Sequence, residues 1–257
     1  MKNLKYASFV LLIVISFYLT DKIIIYMENK HPIMQEIDAR KESFRVAPVN
    51  AIINDNTIIP GINGKDVNRR QSYMRMGEFG AFNETFIVFD IVRPNISIED
   101  NRDKVIIRGN PTRRQVSLIL EENPTIITLL NNQEINFTII AGLNTDFTRE
   151  QEYIPGEKSQ NRMRDLHFIL NRRRINSGIC LLGHSNIELC YEKNYFLIAP
   201  SIDSNDNISE LLTNIRSGDI ILIRHNIPEA HLNLIISEIR RQDLQIVPIS
   251  TLISENR

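Results

Sequence analysis

After Asn110-Pro111 the chain settles into a steady succession of short apolar runs and amphipathic stretches. Strands are predicted at 115–120, 136–141, 179–182, 195–199, 219–223 and 245–247. Helices are predicted at 125–132, 161–173, 187–193, 208–216, 228–241 and 249–255. Runs such as Ile220-Ile221-Leu222-Ile223 show no polar alternation, the mark of strands covered on both faces. Strand and helix in turn imply right-handed βαβ units around a parallel sheet. A closed barrel and an open doubly wound sheet both satisfy this pattern.

At 257 residues the chain holds one large domain or two small ones. Its 30 basic and 31 acidic residues are interleaved and leave a net charge of −1. A nucleic-acid binder concentrates basic residues on one face or tail, so no nucleic-acid partner is expected.

The N-terminus departs from this average. Lys2 and Lys5 precede an apolar run over 6–20; Asp21 and Lys22 interrupt it, and Ile23-Ile24-Ile25-Tyr26-Met27 follows. A positive start and an apolar stretch are the parts of a signal anchor, and no small-residue cleavage site is evident. A spanning helix needs roughly 17–25 residues, which the run reaches only if extended to Met27. The reading adopted is an uncleaved, single-pass transmembrane helix over 1–27, with the rest of the chain extracytoplasmic at the cell membrane. A buried core helix is the alternative. In an exported chain Cys180 and Cys190 close a local loop as a disulfide; two free buried thiols are the alternative.

Residues 28–50 are polar, broken by His31-Pro32 and Lys41-Glu42, and read as a stalk. A small α/β region is expected over 51–108, packing on the larger domain. In it, Pro60-Gly61 and Asn63-Gly64 mark turns. Asp66 is placed to cap a helix ended by Gly77, and strands are predicted at 85–91 and 105–108.

The run Val116-Ser117-Leu118-Ile119-Leu120-Glu121-Glu122-Asn123-Pro124 carries the most chemistry. A buried strand delivers two adjacent carboxylates to a sheet end. A helix then opens with Pro at its first position, where a missing N–H costs nothing. The plain reading is that the acids favour the positive end of that helix. The sharper reading is a site.

This run resembles the first motif of the polysaccharide deacetylase (NodB-like, carbohydrate esterase family 4-like) family, a hydrophobic strand followed by Asp-Asp-Gly-Pro. Here both aspartates are glutamates and the Gly is Asn. Gly218-Asp219-Ile220-Ile221-Leu222-Ile223-Arg224-His225 is similar to the family's last motif, a hydrophobic run into His-Asp. The resemblance covers 109–257 and implies an irregular, incomplete (β/α) barrel of that type. The span is compact for the family, so an element is missing or is supplied by 51–108.

The family's reaction removes an acetyl group from an N-acetyl sugar. A metal polarises the amide carbonyl and acidifies its bound water. A carboxylate takes the water's proton, and a His protonates the departing amine. By position, the resemblance puts Glu121 on the base and Glu122 on a metal ligand. The extra methylene of Glu matters, because a misplacement of 1 Å costs roughly 100-fold. Counted from Gly218, Arg224 falls on the family's His position and His225 one residue later. A one-residue shift turns a side chain to the opposite face, and a bulge restores it. His225 is therefore taken as the second catalytic candidate, and His184, after Gly183 at a strand end, as the second metal candidate. The family's two His four residues apart belong within 144–161, which contains no His, and no two His in the chain have that spacing. An Arg-Pro strand belongs near 179–185, where neither residue occurs.

The expectation is a membrane-anchored, deacetylase-like pseudoenzyme that acts on or binds cell-wall glycan. The alternative is an active metal-dependent N-deacetylase using Glu121 and Glu122 with a rearranged His set. No cofactor is expected, with zinc or another divalent metal reserved for that alternative. Expected partners are wall glycan or an envelope protein, and the membrane through the N-terminal helix. Tyr153, Tyr191 and Tyr195 are the candidates for lining a sugar groove. Arg172-Arg173-Arg174 closes a predicted helix, where cations suit the dipole; the sharper reading is a contact for an anionic wall polymer.

Overall fold

The computed structural model describes residues 2–175 and 177–256, without the side chains of residues 2–10 and of Leu12. In chain order the elements are α1 (Lys2–Lys30), α2 (Pro32–Phe44), β1 (Ile52–Asn54), β2 (Thr57–Ile59), β3 (Gly64–Val67), α3 (Arg69–Gly77), β4 (Phe89–Val92) and β5 (Val105–Ile106). Next come β6 (Gln115–Glu121), α4 (Pro124–Asn132), β7 (Thr138–Ala141), β8 (Glu152–Pro155), α5 (Gln160–Arg173) and β9 (Ile179–Leu181). Then follow α6 (Ile187–Glu192), β10 (Phe196–Ile198), β11 (Ile202–Asp203), α7 (Ile208–Asn214), β12 (Ile220–Ile223), α8 (Glu229–Arg241), β13 (Gln245–Ile246) and α9 (Ile249–Ile253). They form two units, Met1–Pro48 with Gly64–Val92, and Val49–Asn63 with Arg93–Arg257.

In the first unit the expected stalk over 28–50 is replaced by a packed helix. His31 caps α2, its side chain accepting from Ile33 N–H, and Pro32 takes the first helical position. Ile33 and Ile37 recur one turn apart and are buried with Val67, Met76 and Ile87. The cap of α3 is Asn68, which accepts from Gln71 N–H, while Asp66 lies on β3. A 3₁₀ turn over Glu84–Phe86 shortens the strand predicted at 85–91 to β4, which pairs antiparallel with β3. Along α1 the described apolar side chains are largely exposed, Phe17 at 74% and Met27 at 66%. The expected transmembrane span is not found. Among the described residues no helix is long and apolar enough to cross a membrane, and the side chains that open the apolar run lie outside them.

The second unit contains two mainly parallel sheets. One runs β11-β12-β6-β7-β8, with β13 pairing the start of β6; the other runs β1-β2-β5-β10-β9, only β1 being antiparallel. Strand parity sorts the side chains into two layers. Leu118 and Leu120 of β6, Ile139 of β7, and Ile221 and Ile223 of β12 pack under α4, α5, α7 and α8. Ile119, Ile140, Ile154, Ile220 and Leu222 point the other way. They meet Ile106, Ile179, Leu181 and Ile198 of the second sheet. Each such buried Leu or Ile contributes about 1.5–3 kcal/mol. The two sheets thus enclose a common interior, an irregular barrel.

The boundary expected at 108/109 shifts for the same reason. β1, β2 and β5 are barrel strands, so 49–63 and 93–108 join the larger unit and 64–92 leaves it. Five strands were not foreseen: β1, β2 and β3, β8, which ends in Pro155, and the two-residue β11. Gly109 N–H donates to Gly218 O at 2.7 Å where the sheets meet on one side. At the other meeting, β8 and β9 share no ladder among the described residues. The Ser177 and Ser185 hydroxyls donate instead to the carbonyls of Tyr153 and Pro155. Cys180 on β9 and Cys190 on α6 form a disulfide in a buried cluster with Met163 and Leu197.

Candidate functional site

Glu121 ends β6 on the same parity as Ile119, and therefore faces the interior side of the strand ends. β12 runs parallel beside it with Ile223 opposite Leu120, which brings Arg224, on the parity of Leu222, next to Glu121. Asp203 ends β11 opposite Leu222. Three neighbouring strand ends thus deliver a carboxylate, a guanidinium and a carboxylate in a row.

Arg224 joins them. Its Nη1 donates to Glu121 Oε1 at 2.8 Å. Its Nε lies 3.0 Å from both Asp203 oxygens, and Nη2 donates to Oδ2 of the same carboxylate. A planar fork that binds carboxylate side-on is what guanidinium provides and ammonium does not. All three side chains are about a quarter exposed.

Glu121 accepts further bonds from the next residue. His225 backbone N–H and Nδ1 both lie 3.0 Å from Oε2. No bulge is needed for this. β12 stops at Ile223, the chain turns, and the 71% exposed His225 ring folds back onto Glu121. Asn123 braces that turn: it caps α4 through Oδ1 and its Nδ2 donates to His225 O at 2.7 Å. His184 comes from the loop after β9. Its Nε2 lies 3.3 Å from Glu121 Oε1 and 3.4 Å from Arg224 Nη1.

The electrostatics follow. Burial raises the Glu121 pKa, but bonds from the His225 side chain and backbone, Arg224 and His184 outweigh it and bring it to about 2. Arg224 holds Asp203 below the usual carboxylate range, and the two acids push the Arg224 pKa up. A carboxylate held near 2 is a weak proton acceptor at neutral pH.

The expected metal pair is not assembled. Glu122 has the opposite strand parity and is exposed; its Oε2 accepts from Thr145 Oγ1 at 2.7 Å. His184 sits instead on Glu121 and Arg224. Among the described residues no cluster of three or more His, Cys, Asp or Glu side chains is arranged to hold a metal ion. The guanidinium against Glu121, Asp203 and His184 already supplies the local positive charge, so these residues do not fit a zinc site.

Tyr153 is also not a groove residue. It is 1% exposed, and Thr148 N–H donates to its hydroxyl. Tyr195 is partly buried and pairs with His167, whereas Tyr191 is 52% exposed. Sequence reasoning missed Asp203, Thr145 and the bracing role of Asn123. Only Asn123 carried a usable signal, a capping residue directly before a helix-opening Pro.

No family model matches the chain. The uncharacterized protein YlxY of Bacillus subtilis (strain 168) is 33% identical over 93 residues, 36% of this chain and 29% of YlxY. That match spans less than a third of the relative's own length. Wild-type BA3943, a CE4 family pseudoenzyme from Bacillus anthracis, has a TM-score of 0.55 at 22% identity, covering 88% of this chain and 96% of that one. A BA3943 mutant with restored enzymatic activity has a TM-score of 0.56 at 21% identity, covering 88% and 99%. The fold of this chain is therefore that of the CE4 polysaccharide deacetylases (NodB-like), in a divergent form.

Proposed function

We propose that this chain is a divergent CE4 polysaccharide deacetylase-like protein that binds cell-wall glycan without turnover and is held at the membrane by α1. The observation that carries the reading is Arg224, ion-paired at once to Glu121 and Asp203. It ties up the expected base and stands where the resemblance implies a catalytic His. The likeness to BA3943, itself a CE4 family pseudoenzyme, supports the same reading. Exposed carboxylate, guanidinium and imidazole edges at the strand ends are suited to hydrogen-bonding sugar hydroxyls. The anchor rests on the apolar run over 6–20 and on the exposed apolar side chains of α1. An apolar helix surface of that extent needs apolar surroundings.

The test uses the full-length chain in detergent. Zinc is titrated in by calorimetry, acetate release from N-acetylated wall glycan is followed, and glycan binding is read by co-sedimentation. Glycan binding with neither stoichiometric zinc nor acetate release is expected. Stoichiometric zinc that disappears in Glu122→Ala, together with acetate release, overturns the proposal in favour of an active N-deacetylase. For the anchor, membrane fractions washed with carbonate should retain the protein; release into the wash overturns it.

A further inference from the structure

Residues 142–151 cross from β7 to β8 without a helix. Beside this crossover and the last turns of α5 lies a cleft of about 590 Å³. Three arginines line it, Arg149 from the crossover and Arg172 and Arg173 from α5, and no acidic side chain does. Arg173 is fixed: its Nη1 donates to Phe147 O at 3.1 Å and its guanidinium stands 5.3 Å from the Phe147 ring centre. Arg149 and Arg172 are exposed and have no ion-pair or hydrogen-bond partner among the described residues. Phe147 is itself held edge-on against Tyr153, with ring centres 5.1 Å apart, and Phe168 is 65% exposed.

Two unpaired guanidiniums and one immobilised one, along a cleft with two aromatic platforms, call for an extended anion with apolar stretches. The carboxylates nearest in sequence, Asp146, Glu150 and Asp165, stay outside the lining; Glu122 reaches only its edge, through Thr145. Guanidinium forks match phosphate oxygens bidentately. A concave site turns its charges inward, which favours a chain lying in the cleft over a flat lipid surface. We propose that this cleft binds a polyol chain linked by phosphodiesters, with phosphates on Arg149, Arg172 and Arg173 and carbon backbone along Phe147 and Phe168. This site is separate from the Glu121–Arg224 cluster, and its occupancy does not depend on whether that cluster binds glycan.

The test titrates fluorescently labelled poly(glycerol phosphate) against the full-length chain. The double variant Arg149→Ala/Arg172→Ala should weaken binding by at least about tenfold, because each lost charged contact is large on this scale. Arg164→Ala, on the same helix but outside the lining, should change it less than about twofold. Raising salt from about 50 to about 200 mM should weaken the wild type more than the double variant, since fewer counterions are then displaced. Melting curves of both variants should match the wild type. Unchanged binding in the double variant, or an equal loss in Arg164→Ala, overturns the proposal. Displacement of the polymer by short-chain phosphatidylglycerol at equal phosphate concentration also overturns it, in favour of a lipid headgroup.

Discussion

Arg224 and Glu121 stand 2.8 Å apart on adjacent parallel strands, and the same guanidinium holds Asp203 on the next strand out. Removing the cation leaves two carboxylates facing each other at three neighbouring strand ends. Arg224→Met should therefore destabilise the protein by about 2–3 kcal/mol. That is below the roughly 3–5 of a fully buried pair, because these side chains keep some contact with water. A double-mutant cycle with Glu121→Gln, read by urea denaturation, should show coupling between the two positions. An additive cycle would remove the ion pair from the account of stability.

The pH dependence has a defined sign. A carboxylate whose pKa falls on folding contributes stability that is fully present above its unfolded value and lost as pH drops through its folded value. For Glu121 that window runs from its ordinary 4.5 down to about 2. Asp203 acts in the same direction. Melting temperature should fall steeply across this window, and Glu121→Gln should flatten the fall.

Glu255 works in the opposite sense. Its carboxylate is buried, accepting from the N–H groups of Gly61 and Ile98 at 3.0 and 3.1 Å, and burial raises its pKa. Stability linked to it is lost as pH climbs from the unfolded value past the raised one. Glu255→Gln keeps an acceptor for both N–H groups and should melt higher than the wild type at neutral pH.

The disulfide closes a loop with a sequence separation of 10. Constraining an unfolded chain over such a loop is worth about 2–3 kcal/mol. Cys180→Ala/Cys190→Ala should lower stability by about that amount in denaturant titration. Reduced wild type should match the variant.

Gly218 has φ +92°, and a Cβ there would lie 2.4 Å from Gly109 O. Gly218→Ala meets both a strained backbone and a rigid neighbour, so it should cost at least about 2 kcal/mol. Gly77, where a Cβ meets nothing within 4 Å, is the control: Gly77→Ala should be neutral or stabilising.

Much of the larger unit was legible because its short apolar strand runs alternate with amphipathic helices such as α5 and α8. Glu121, His184 and His225 were singled out in the sequence, and the structure brings both imidazoles against the Glu121 carboxylate. Counting from Gly218 set Arg224 on the position where the resemblance implies a His, and in the structure Arg224 shares the parity of Leu222 and lies against Glu121. Asp203 was not legible: its strand is two residues long, follows Pro200, and has no periodicity to read. Glu122 was misplaced because adjacent strand residues point to opposite faces, and the hydroxyl that holds it belongs to a crossover with no regular structure. The helix in 28–50 was hidden because its apolar face is narrow and takes its meaning only from α3 and β3. β8 was hidden by Pro155, which β8 tolerates because it is an edge strand.

The meeting of β8 and β9 divides the barrel wall into two leaves stitched by serine hydroxyls. Glu121, Arg224 and Asp203 all belong to one leaf, whose strands are continuously laddered. His184 belongs to the other, so its 3.3 Å approach to Glu121 crosses from one leaf to the other. Any relative shift of the two leaves would therefore act on the His184–Glu121 contact and not on the pairing within the charged trio. The arginine is thus built into a wall, while the histidine hangs on a door.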